Sequence, residues 1–160
     1  MTLIGCANAI GDAIPAYNIF QTWPTNDWDL EGYDENVRFN VSETGFNNHE
    51  IMVDWIKHFN IHSFQYHSEF KRRGFSFEAW FSCDQFRNGY EVRDSARNVI
   101  PESERVYRLL LLNGFLRYYL LELFEYCLSF DILILFLPPY LLRKTQPIDI
   151  GVFQYIKAAH

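Results

Sequence analysis

The sequence predicts an α/β domain, and three observations carry that reading. Two short apolar runs, 109–112 and 132–137, flank a segment of helical periodicity, the pattern of strand, helix and parallel strand. A second helical period runs from about residue 49 to 59. Ahead of it lie two short runs, near residues 3–9 and 16–21, bounded by turn residues as strands are. The 160 residues suit one ordinary domain with a substantial core, so 1–160 is read as a single domain. Apolar residues make up 49% and aromatics 18%, which excludes a disordered chain.

The first strand, 3–9, turns at Gly11-Asp12, and the second, 16–21, is entered through Pro15. They form a hairpin or adjacent strands. Residues 22–40, with Trp23, Pro24, Trp28 and several acidic and amide side chains, read as irregular. Residues 42–48 form a turn and a helix start, with Asn47 or Asn48 as the N-cap of a helix over 49–59. Ile51, Trp55, Ile56 and Phe59 give that helix an apolar stripe and leave Glu50, Asp54 and Lys57 to water.

Residues 61–104 mix Lys71-Arg72-Arg73, many aromatics and scattered charges without a sustained period. Such a length without structure is unusual inside a compact domain. The segment reads as an insertion, or as sequence that never evolved to fold. Order returns with the leucines 109–112, a strand stopped by the turn pair Asn113-Gly114. A helix over 118–130 follows, with Leu120, Leu121, Phe124, Cys127 and Leu128 along one side. The β-branched run 132–137 is a strand ended by Pro138-Pro139. A last helix over 150–158 carries Phe153 and Ile156. Continuous apolar strands imply a parallel sheet covered on both faces.

The net charge of −6 and pI near 5.3 provide no global basic field to draw in nucleic acid. Cys6, Cys83 and Cys127 are odd in number and contain no Cys-x-x-Cys pair. Neither a disulfide framework nor a zinc knuckle is expected, and the redox setting points inside the cell. The N-terminus lacks the basic region of a signal peptide, and the sequon Asn40-Val41-Ser42 matters only in a secreted chain. Arg108, Arg117, Glu122, Glu125 and Asp131 interrupt the apolar segment 106–142, and the charge-free stretch 132–142 is shorter than the roughly 20 residues of a spanning helix. No membrane span is expected.

The most specific string is Leu137-Pro138-Pro139-Tyr140-Leu141-Leu142-Arg143-Lys144-Thr145-Gln146-Pro147-Ile148-Asp149-Ile150-Gly151-Val152-Phe153. A lone carboxylate after a buried strand, in this setting, resembles the third acidic motif of the DDE superfamily endonucleases, the pogo/mariner-like transposases. Gly45-Phe46-Asn47-Asn48-His49-Glu50 and Trp55-Ile56-Lys57-His58-Phe59 are similar to the helix before that family's second acidic strand, and residues 3–20 to the strand pair after the first. The resemblance implies an RNase H-like α/β fold: a mixed sheet with flanking helices, here lacking the first strand, which the family places centrally. It implies metal-dependent DNA cleavage and strand transfer, in the nucleus, with carboxylates at neighbouring strand ends holding two magnesium ions roughly 3.5–4 Å apart. DNA would be the partner, homo-oligomers are allowed, and neither a membrane nor a small-molecule substrate is expected. Asp149 takes the third acidic position and is the metal ligand carried over.

The chain departs from the family pattern at each other step. The second motif, typically Leu-Leu-Asp-Gly-His-x-Ser-His, aligns with Leu111-Leu112-Asn113-Gly114-Phe115-Leu116-Arg117-Tyr118, so Asn113 is a degenerate second acidic position. Asparagine keeps a neutral carbonyl but removes the charge that magnesium requires. The His-Ser/Thr-x-His after the prolines is replaced by Tyr140, Leu141, Leu142 and Arg143. The first acidic motif is expected upstream of residue 1. Val41-Ser42-Glu43-Thr44-Gly45-Phe46 is superficially similar to it, but with Ser42 at the ligand position, and the block order favours the pre-helix motif. Asp149 also reads as a helix N-terminal residue stabilised by the macrodipole.

Other candidates are weaker. His58, His62 and His67 read as solvated surface residues rather than zinc ligands. Lys71-Arg72-Arg73, and Arg143-Lys144 beside Gln146, read as surface charge rather than phosphate contacts. No phosphate loop, nucleophile elbow or Cys/His pair occurs. The leading expectation is a catalytically degenerate transposase-derived endonuclease domain, set against a protein–protein module on the same fold and a transposon remnant that does not fold stably.

Overall fold

A computed structural model describes residues 1–24, 34–81, 83–87, 90–93, 102–113 and 121–137. Within them the chain is mixed α/β, with three small sheets and four α-helices. The helix expected over 150–158 lies outside the described residues. Two compact units are distinguished, one built on Met1–Met52 and the other on Val53–Leu112 and Tyr119–Phe136.

The first unit holds a sheet of order β1 (Thr2–Ile4), β2 (Tyr17–Phe20), β3 (Arg38–Val41). β1 and β2 run antiparallel, with Thr2 opposite Ile19, as expected of the first strand pair. The turn between them is closed by Asn8, whose Oδ1 accepts from the Ile10 and Asp12 amides at 3.1 and 2.8 Å, while Gly11 takes a φ of 95° that favours glycine. β3 pairs parallel with β2 and lies in the segment read as irregular. Arg38-Phe39-Asn40-Val41 carries little strand signal of its own. Its order comes from the neighbour, including a 2.8 Å bond from Asn40 Nδ2 to the Tyr17 hydroxyl.

The chain then turns through Gly45 (φ 67°), where an added Cβ would come within 3.0 Å of Gln21 Cγ. It enters α1 (His49–Tyr66) with Asn48 as the N-cap, its Oδ1 accepting from the Ile51 amide at 2.9 Å. Asn48→Ala should therefore cost about 1 kcal/mol, read as a lower urea midpoint. The helix runs well past Phe59, and its buried band is broader than the expected stripe, taking in Met52, Val53, His58, Asn60 and Phe64. Asn60, a poor helix former, is held by tertiary bonds described below.

The second unit continues with α2 (Ser68–Arg73), α3 (Phe77–Phe81), an antiparallel pair β4 (Cys83–Arg87) and β5 (Tyr90–Arg93), a short 3-10 turn at Glu102–Glu104, β6 (Arg108–Asn113), α4 (Leu121–Ser129) and β7 (Ile132–Leu137). Thus the described part of 61–104, where the sequence shows no sustained period, holds helices and strands. Its organiser is aromatic: Phe64 stacks on Phe70 at 3.9 Å, Phe70 meets Trp80 at 5.1 Å, and Phe81 meets Phe77 and Phe130 at 4.9 and 5.0 Å. Short helices on different axes share one cluster, so no single period runs along the sequence.

β6 and β7 form a two-stranded sheet. The Arg108 amide donates to the Asp131 carbonyl at 3.0 Å, joining the strands at their starts as a parallel pair requires. The expected strand–helix–strand is present, but its faces differ. Leu110, Leu112 and Ile132 are buried, whereas Leu109, Leu111, Leu133 and Leu135 are 61, 48, 46 and 52% exposed. The two-face coverage read from the sequence is not met by this pair. The inward residues of α4 are Leu123 and Cys127, while Leu121 and Leu128, placed on the apolar side by the sequence, point to solvent.

Candidate functional site

Asn113 is the last residue of β6. Because β6 and β7 run parallel, their carboxyl ends share one edge, where open α/β sheets carry their ligand groups. Asp149 lies outside the described residues, as do Phe115, Arg117, Tyr118 and the segment 140–146 with Arg143, Lys144 and Gln146. Ser42 is buried, and its hydroxyl donates to the Phe46 carbonyl at 2.7 Å, so it serves the turn before α1. No group of three or more His, Cys, Asp and Glu among the described residues is arranged to hold a metal ion.

The three histidines differ from the solvated set expected. His58 is 5% exposed, and its ring lies 4.4 Å from that of His62, one turn on. His67 is the N-cap of α2, its Nδ1 accepting from the Glu69 amide at 3.2 Å. The basic triplet is largely engaged within the protein. Arg72 Nη2 and Arg73 Nε both reach Glu69 Oε1, at 2.6 and 2.7 Å, and these bonds draw the Glu69 carboxyl down to about 2. Arg73 also donates to the Glu104 carbonyl and lies 5.4 Å from the Trp80 ring, and Lys71 lies 5.4 Å from that of Tyr66.

The strongest polar feature is one the sequence reading passed over. Arg108, at the head of β6, is 4% exposed. Its Nη1 donates to the Asn60 carbonyl at 2.7 Å and Ser63 Oγ at 3.1 Å, and its Nη2 to Asn60 Oδ1 at 2.6 Å and the Phe130 carbonyl at 3.0 Å. Asn60 Nδ2 in turn donates to the Tyr126 hydroxyl at 2.9 Å. The guanidinium lies 5.5 and 6.0 Å from the Phe81 and Phe70 rings. Burial lowers its pKa to about 10, and the buried Asp131 carboxylate opposes that shift, so Arg108 stays charged at neutral pH. Arg105 approaches Asp131 at 3.7 Å. The signal available in sequence was an arginine heading an all-leucine strand, with an aspartate just before the partner strand.

Burial also raises the thiols of Cys127 and Cys6, to about 12 and about 11, so both stay protonated and neither is an activated nucleophile. An apolar groove of about 210 Å³ lies against α4 and β7, lined by Phe124, Cys127, Leu128, Ile132, Leu133 and Ile134. It is smaller than the roughly 300–1,000 Å³ of ordinary ligand pockets.

No protein-family model matches the chain, and no solved structure matches it. Along its whole length the chain is similar to the MFS-type transporter clz9 of Cochliobolus lunatus, at 26% identity over 161 residues. It spans only 14% of that protein. No helix among the described residues is long and apolar enough to cross a membrane.

Proposed function

We propose that the chain is a transposase-derived DDE endonuclease domain with an RNase H-like fold, whose ancestral role is metal-dependent DNA cleavage and strand transfer and whose own catalytic kit is degenerate. The observation that carries this reading is positional. Asn113, aligned with the family's second acid, ends β6 at the edge where β7 also ends, and the Gln146-Pro147-Ile148-Asp149 string follows β7 in the sequence. Two magnesium ions require several anionic oxygens, and Asp149 with a neutral Asn113 supplies one carboxylate. Magnesium and the nucleus are expectations of the lineage, and weak duplex binding is the residual activity proposed.

The second reading, a protein-interaction module on the same fold, is favoured by the exposed leucines of β6 and β7. The transport named for the similar protein belongs to the whole of that protein. The similarity spans 14% of it, so transport is not carried to this chain.

The test is nicking of supercoiled plasmid with magnesium or manganese, paired with duplex binding at low and moderate salt. No nicking above buffer is expected, together with micromolar binding that weakens with salt. Nicking abolished by Asp149→Ala would overturn the claim of a degenerate site. Absence of binding at low salt would defeat the nucleic-acid role and leave the interaction module.

A further inference from the structure

The neutral form of His67 does a job its cation cannot do. Nδ1 must present a lone pair to accept from the Glu69 amide, and that bond closes the first turn of α2. The ring packs 4.9 Å from Phe70, whose own ring is buried against Phe64 and Trp80. The Tyr107 backbone, just ahead of β6, also acts on the imidazole and favours its protonated form. The ionised groups acting on it come from two elements: Arg108 from β6 and Glu69 from its own helix. We propose that His67 is a proton-operated cap, which when neutral holds α2 against the aromatic cluster and when protonated releases the helix's first turn.

Four influences place the switch. Desolvation and the Arg108 cation hold the imidazole below its ordinary value, in that order, and outweigh the opposing pull of Glu69 and the Tyr107 backbone. The folded chain then binds fewer protons at His67 than the unfolded chain. The cap's contribution is present above the ordinary histidine value of about 6.5 and is lost as pH falls through the lower folded one. Glu69 cannot produce the same transition, because its carboxyl titrates near 2.

The test is an NMR titration of the 15N-labelled full chain from pH 7.5 to 5.0, following the His67 ring nitrogens and the Glu69 amide. The expected result is an unprotonated Nδ1 at pH 7.5 and a midpoint below about 6.5. The Glu69 amide should shift with that midpoint, and its exchange protection should fall about fivefold, the equilibrium factor of a typical N-cap. His67→Asn keeps a capping oxygen that does not titrate, so its Glu69 amide should stay constant over the range. A protonated Nδ1 at pH 7.5, a midpoint at or above 6.5, a Glu69 amide that ignores the titration, or unchanged pH dependence in His67→Asn would each overturn the proposal.

Discussion

Arg108→Ala should lower the unfolding free energy by about 3–5 kcal/mol, a large part of what a small unit has. The reason is what the guanidinium leaves behind. The Asn60 carbonyl, Asn60 Oδ1 and the Phe130 carbonyl all accept from it within the buried interior, and the buried Asp131 would be left with Arg105, 3.7 Å away, as its neighbouring cation. Buried acceptors without donors cost about 1–3 kcal/mol each before relaxation. Arg108→Lys should recover little, because an ammonium cannot reach two sides of Asn60 and the Phe130 carbonyl at once. Arg108→Met is the decisive companion. It keeps the stem's volume and removes every donor, so it should remain close to alanine in urea unfolding followed by the buried Trp55 and Trp80. A methionine variant near wild-type stability would show that volume, not hydrogen bonding, sets the role of this residue.

The same residue shows where sequence reasoning stops. Arg108 and Asp131 entered the reading only as charges interrupting an apolar run, and nothing local says that a guanidinium will be enclosed by a helix 48 residues away in sequence. Asp131 adopts a φ of 57°, a conformation aspartate tolerates better than most residues and one that fits the tight turn from α4 into β7. The elements legible beforehand, β2, the start of α1, β6 and β7, are those whose own period or cap specifies them. β7 occupies 132–137 as read, and the helix starts at the Asn48 cap. The elements not legible are those a partner orders. β3 depends on β2, the last turns of α1 depend on Arg108 and Tyr126 satisfying Asn60, and α2 and α3 depend on rings contributed by four different segments.

The candidate site was legible in a narrower sense. Asn113 ends its strand as the Asn-Gly pair suggested, and its place opposite an acid of the DDE motif belongs to the proposed family alignment. The burial of the histidines is not legible in the sequence for a physical reason. One turn of helix separates His58 from His62, and spacing gives their proximity but not their burial. The capping role of His67 depends on the extended backbone at the one residue between α1 and α2, which composition does not encode.

Phe81→Ala should also cost about 3–5 kcal/mol, through a cavity rather than an orphaned charge. Phe81 is fully buried, and its ring centroid lies 5.9, 4.9 and 5.0 Å from those of Phe64, Phe77 and Phe130, with the Arg108 guanidinium 5.5 Å away. Two contributions are mixed in that number, and Phe81→Leu separates them. Leucine fills most of the volume, so its remaining deficit reports the lost ring edges and the lost cation–π contact, worth up to about 2 kcal/mol when desolvated. A double-mutant cycle of Phe81→Leu with Arg108→Met then isolates the pair. Coupling near 1 kcal/mol or more would mean that the aromatic cluster is part of what makes a buried cation tolerable here. Additive losses would mean that the rings and the guanidinium merely share a space, and that the carbonyls of Asn60 and Phe130 hold the charge alone.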